Sequence, residues 1–372
     1  MAGAVKVCAG VPRSIRSLLN AALALTLLGV AAVGDVAVAA EKRSKPDTAG
    51  STIQSIEVSA RPLAGFERLN SSQKDYGRLE WLGGVVLSSN DPRFGGWSGL
   101  AIDTDGRHLV AVSDAGTWMT AELVYREGRP AELKQARLGP LKSREGGPLK
   151  RDRDRDAEAV VLLRGTLERG QLLISFEQNH RLGVFDIGKD GVTPPSRYIA
   201  VPKDAQRMRR MQGFEAVAVM RSGRNKGAII AISEHLLDSH GHHSGWIMSG
   251  DRASRFAITD IGGYDPTDAV GLPNGDLVLL ERRFRWTEGV KMRLRLIRSD
   301  EIAPGAVIKG EVLLEANMAQ EIDNMEAISA HRAADGGTIL TLMSDDNFNS
   351  FLQRTLLLQF RLKDDVARRS GR

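Results

Sequence analysis

From about residue 53 onward, apolar residues come in short runs rich in Ile, Val and Leu, separated by Gly, Asp and Asn turns. Few segments carry a helical period. Short apolar runs bounded by turn residues read as strands, so the pattern predicts an all-β fold. The runs also repeat. Five segments share one phrase: a small or acidic pair, apolar residues, a Gly-containing turn, a second apolar strand, and a polar or acidic end. They run from Ser98 to Asp114, Ala157 to Glu177, Phe214 to Glu234, Thr267 to Glu281, and Met325 to Asp345. Their starts recur about every 53 to 60 residues, a period that suits propeller blades.

Further strands follow each phrase. Arg181–Ile187, Gly245–Met248, Lys291–Ile297 and Arg354–Phe360 supply third strands, and Arg255–Ile258 and Glu311–Leu314 supply fourth ones. Four strands per unit make a propeller blade. The last repeat lacks a fourth strand, and Arg78–Leu87 is the segment available to complete it and close the ring. The expectation is a single β-propeller of four-stranded blades with five repeats. Six blades, the sixth formed from residues 53–90 with the C-terminus, is the alternative.

The first forty residues stand apart. Lys6, Arg13 and Arg16 precede an apolar run from Leu18 to Val33, which ends in the small residues Ala37-Val38-Ala39-Ala40. That order reads as a secretory signal peptide over 1–40. The apolar run is short for a membrane span, so no stable membrane insertion is expected after its removal. A polar, disordered lead over 41–52 and the propeller domain over 53–372 follow. The only cysteine, Cys8, falls in the signal, which leaves the mature chain no disulfide and no thiolate chemistry. A periplasmic or secreted protein is expected.

Charge narrows the partners. The net charge is +5, but 51 basic residues are scattered among 46 acidic ones without a long basic block. Nucleic-acid binding is not expected, and an anionic small-molecule ester or another ligand remains open. The acids are more informative. Glu158 and Glu177, Glu215 and Glu234, and Glu326 and Asp345 are each nineteen residues apart. In a blade, the start of the first strand and the end of the second lie at the same mouth. Polar residues at the first position (Ser98, Glu158, Glu215, Asp268, Glu326) and at the second (Asp114, Glu177, Glu234, Glu281, Asp345) then converge. Carboxylates so crowded repel one another unless cations intervene.

Clustered carboxylates suit Ca²⁺. The metal candidates are Asp114, Glu158, Glu177, Glu281 and Asp345. The proton-transfer candidates are Glu215, Glu234, Glu326 and His235, which lies beside Glu234. Arg282, Arg283 and Arg181 are the candidates for holding an anion. The alternative for any single acid is structural: it accepts backbone N–H groups and ties blades together.

Other motifs are weaker. His235, His240, His242 and His243 fall within nine residues but match no strong zinc spacing and read as a flexible loop. Gly96-Trp97-Ser98-Gly99-Leu100 lacks the last glycine of a nucleophile elbow. The run from Arg151 to Asp156 alternates charge and reads as a solvated loop.

Several of these segments carry a resemblance. Gly96-Trp97-Ser98-Gly99-Leu100-Ala101, Ser113-Asp114, Glu158-Ala159, Phe214-Glu215-Ala216, Glu281-Arg282-Arg283-Phe284, and Asp323-Asn324-Met325-Glu326-Ala327 with Ser344-Asp345-Asp346-Asn347 resemble the phytase-like family. Its description is esterase-like activity of phytase. The resemblance covers roughly residues 76–362. It implies an exported propeller acting on phosphate or carboxylic esters. The ligand motifs of calcium-dependent propeller phytases are not matched residue by residue. The alternative function is a non-catalytic propeller that binds a ligand or protein partner at the same mouth.

Overall fold

The structure is a computed structural model, and it describes Lys45, Pro46, residues 52–208 and residues 213–363. The segment read as a signal peptide lies outside the described residues. Between Gln54 and Leu362 the chain forms five antiparallel blades. From channel to rim, blade 1 runs Trp97–Ile102, His108–Ser113, Thr117–Arg126 and Arg129–Pro140, with Gln54–Ser55 on its outer edge. Blade 2 runs Ala157–Gly165, Gly170–Phe176, Arg181–Gly188 and Gly191–Ile199. Blade 3 runs Phe214–Val219, Ile229–Leu237, His243–Ser249 and Arg252–Ile258, edged by Val307–Ile308 in parallel. Blade 4 runs Asp265–Gly271, Leu277–Arg285, Gly289–Ile297 and Glu311–Ala316.

Blade 5 takes Asn324–Arg332, Thr338–Asp345 and Thr355–Leu362 from late in the chain and Leu79–Ser88 from early in it. Thr355 to Leu362 pair antiparallel with Leu87 to Leu79, which closes the ring as the sequence pattern predicts. Each inner strand packs on the next, and the inner strand of blade 5 packs on that of blade 1. The ring therefore has five blades, not six.

The core lies between blades rather than in one centre. Val85, Leu87, Met343 and Leu357 of blade 5 meet Leu100, Leu109 and Met119 of blade 1 in one apolar cluster. Val110, Val112 and Trp118 of blade 1 meet Leu172, Ile174 and Phe185 of blade 2 in another. Similar clusters fill the other three junctions. Because both faces of an inner strand are covered, its residues read as a near-continuous apolar run rather than an alternation. Polar ties cross the same junctions: Ile102 N donates to Ser329 Oγ at 2.9 Å, joining blades 1 and 5. Ser329→Ala should lower stability by about 1–2 kcal/mol in urea unfolding, because it leaves that buried N–H unpaired.

One local feature positions the site. Every inner strand carries a two-against-one bulge opposite the end of its second strand. In blade 3, Phe214 pairs with Ser233 and Ala216 with Ile232, so Glu215 is the extra residue. The equivalent residues are Ser98, Glu158, Thr267 and Glu326. A bulge breaks the strict two-residue alternation and re-aims a side chain.

Candidate active site

The bulge and the strand ends bring a chain of carboxylates together. Asp156, Glu158 and Glu177 have oxygens within 4.8 Å of one another, as do Glu177, Glu215 and Glu234. Glu177 is common to both groups and hydrogen-bonds Glu215. Glu234 carries the chain onward to His235 and Asp265. His235 Nδ1 lies 2.9 Å from Glu234 Oε2, and its Nε2 lies 3.6 Å from Asp265 Oδ1.

Burial dominates the electrostatics of these acids. It pushes Glu177 up to about 7, with Asp156 adding repulsion. Glu326 also reaches about 7, from burial opposed by Arg282. Glu158, Glu215 and Asp345 are raised well above the carboxylate range, by burial first and then by neighbouring acids. Asp114 is raised for the same reasons, opposed by Lys45. His235 is raised by its hydrogen bond with Glu234, which favours the imidazolium.

Blade 4 breaks the acidic pattern. By strand register, the places of Glu215 and Glu234 are taken there by Thr267 and Arg282. Arg282 Nε lies 3.1 Å from Glu326 Oε1, and its charge is also felt by Asp345 and Glu234. Glu281 does not join the carboxylate chain. It is fully buried and paired with Arg295, Nη2 to Oε1 at 2.5 Å. Asp268 is structural: one oxygen accepts Ala269 N, and the other accepts Ile328 N of blade 5 at 2.8 Å.

The remaining arginine candidates diverge. Arg283 follows Arg282 on the strand and so points the other way. It donates to Gly262 O, pairs with Glu288 and lies over the Tyr264 ring. Arg181 stacks on Phe176 with its guanidinium carbon 3.8 Å from the ring centroid, and it donates to the backbone oxygens of Asn179 and Asp154.

Asp345 and Asp114 complete the blade 5 and blade 1 side. Asp345 is 5% exposed and accepts Asn347 N at 2.7 Å. The turn after it places Asn347 and Phe348 in left-handed conformations, rare for a phenylalanine. The Phe348 ring lies over Gly96, itself at φ 65°, where a Cβ would come within 2.4 Å of both the ring and Asp114 Oδ1. Ser98 Oγ faces Gly96 O at 3.4 Å.

Two charged residues were missed from sequence. Asp156 ends the alternating run read as solvated loop, yet it is only 3% exposed and belongs to the acid chain. Its place two residues before Glu158 was the available signal. Lys45 belongs to the segment read as a disordered lead. Its ammonium lies 2.6 Å from Asp156 Oδ1 and 3.1 Å from Asp114 Oδ2. In the histidine segment, Asp238, His240 and His242 cluster within 4.8 Å, whereas His243 turns inward against Glu234 O at 2.5 Å.

Among solved structures, the Dos1 propeller is similar at 10% identity, covering 76% of this chain and 74% of that one, with a TM-score of 0.33. No curated protein matches the sequence. Among the described residues, no helix is long and apolar enough to cross a membrane. The family described as "Phytase-like: Esterase-like activity of phytase" matches residues 92–348, more than half of the chain. The five-bladed ring and that match together place the chain in the phytase-like family.

Proposed function

We propose that this chain is an exported hydrolase of phosphate or other esters that works at the acid-lined mouth of the propeller with the help of a hard metal ion. The observation that carries this reading is the continuous chain of carboxylates from Asp156 through Glu158, Glu177 and Glu215 to Glu234. The donors are all oxygen, which suits Ca²⁺ rather than a softer metal. Asp156, Glu158, Glu177 and Glu215 would hold the ion, with Asp114 and Asp345 beside them. A calcium ion there would supply the positive charge that offsets crowded carboxylates and draws in an anionic ester.

Blades 3 and 4 add basic side chains beside these acids. Arg282 and His235 lie next to Glu326 and Glu234, where they would orient the ester's anionic group. The hydrogen bond with Glu234 favours the protonated form of His235, which is the group placed to pass a proton to a leaving oxygen. The family is usually extracellular, which supports export.

The reading is tested by assaying a panel of phosphate and carboxylate esters with calcium or with a chelator. The expected result is turnover of at least one ester class, lost in chelator and restored by calcium. No turnover on any ester, together with tight binding of a ligand at the mouth, would establish a non-catalytic binding propeller instead.

A further inference from the structure

We propose that Lys45 is a tethered cation occupying part of the metal seat, and that a divalent ion binds the mouth by displacing it. This rests on the metal-assisted reading above and adds a competitor from the chain itself. The Lys45 ammonium has three oxygen partners: Asp156 Oδ1 at 2.6 Å, Asp114 Oδ2 at 3.1 Å and the Asp114 carbonyl at 3.3 Å. Two carboxylates and a carbonyl around one cation make a hard, oxygen-only seat.

The seat is built rather than incidental. Asp156 is held in place by Gln178 Nε2, which donates to its second oxygen at 2.6 Å. The Asp156 carbonyl accepts Glu177 N at 2.9 Å, fixing the strand end beside it. Asp114 is pinned beneath Gly96, where its backbone N donates to Gly96 O at 3.0 Å. The Asp156 and Asp114 side chains are mostly buried, at 5% and 16% exposure, whereas Lys45 is 39% exposed. The acids thus belong to the rigid ring and the cation comes from outside it.

Competition follows from shared ligands. Asp156 is also a member of the group with Glu158 and Glu177. A divalent ion bound by that group needs the same carboxylate that Lys45 holds, and an ammonium and a dication so close repel each other strongly. An ammonium offsets one negative charge among several, so a divalent ion gains more from the same oxygens. Tethering gives Lys45 a high local concentration, so it fills the seat until free ion is abundant enough to win. By linkage, the ion must release Lys45 to the same degree that Lys45 weakens the ion.

Two measurements on the full chain test this, with calcium chloride as the probe. In calorimetry, Lys45→Met should bind calcium at least about tenfold more tightly than the parent, and Lys45→Arg should not. In acetylation mapped by mass spectrometry, Lys45 should label more slowly than exposed Lys203 in chelator. Millimolar calcium should raise Lys45 labelling towards that of Lys203. Equal calcium affinity in the parent and Lys45→Met would overturn the competition and leave the metal-assisted reading standing. Calcium binding to neither protein would overturn both. Fast Lys45 labelling in chelator, or labelling unmoved by bound calcium, would also overturn the proposal.

Discussion

Arg295→Met should destabilise the propeller by about 3–5 kcal/mol, the cost of leaving a buried carboxylate without its partner. Arg295 and Glu281 are both fully buried in blade 4. Arg295 Nη1 also donates to Thr259 O at 3.0 Å and Lys309 O at 2.9 Å. One guanidinium therefore links the second strand of blade 4 to the segments flanking blade 3. Arg293 stands 3.8 Å from Glu281 Oε2, too far to replace the lost bonds. The double variant Glu281→Leu with Arg295→Met should recover much of the loss, because an apolar pair leaves no charge behind. Urea unfolding of the two variants checks this. A loss under about 1 kcal/mol in the single variant would mean that water reaches Glu281. The double variant also separates Glu281 from the mouth: any calcium-induced rise in melting temperature should survive it and should shrink in Glu177→Gln.

The second large effect is a loss of stability with rising pH when no divalent ion is present. Glu177 and Glu326 have folded-state pKa values of about 7, against an ordinary value of 4.5. The folded state therefore binds their protons more tightly than the unfolded chain does. That stabilising contribution is fully present below about 4.5 and is lost as pH rises through about 7. Glu158, Glu215 and Asp345 are raised further and act in the same direction. The combined loss should be on the order of a few kcal/mol between pH 5 and pH 8. Calcium should reverse it, because a bound ion offsets the ionised carboxylates. Thermal melts at both pH values, in chelator and in calcium, provide the check. Stability that is flat or rising with pH in chelator would show that Lys45, Arg282 and water already offset the acids.

The blades were legible because an all-β repeat writes its strands as apolar runs and its turns as glycine and aspartate. The missing fourth strand of the last repeat pointed to Arg78–Leu87, and the ring closes through Leu79–Ser88. The bulge acids were legible for a related reason: the nineteen-residue spacing survives in blades 2, 3 and 5, where the bulge falls on Glu158, Glu215 and Glu326. Blade 4 was misaligned by one residue. Matching acid to acid there set Asp268 against Glu215 and Glu281 against Glu234, but the register gives Thr267 and Arg282 those places. In a strand, a shift of one residue sends a side chain to the opposite face. That is why Glu281 faces Arg295 and Arg282 faces Glu326. Asp156 was hidden by composition, since alternating charge looks the same whether its last member is solvated or buried. Lys45 could not be found by pattern at all, because it reaches Asp114 and Asp156 from outside the repeats.

The way blade 5 is assembled sets a timetable for biogenesis. Its outer strand is made early, as Leu79–Ser88, and then waits through the synthesis of four complete blades for Thr355–Leu362. Until that strand arrives, the nascent chain has an unsealed ring with exposed strand edges, the kind that recruit other chains. A chain cut short before Thr355 would carry all the clustered carboxylates yet lack the clasp that closes the ring around them. Arrival of Thr355–Leu362, rather than the folding of any one blade, is the event that brings the acids on blades 1 and 5 face to face.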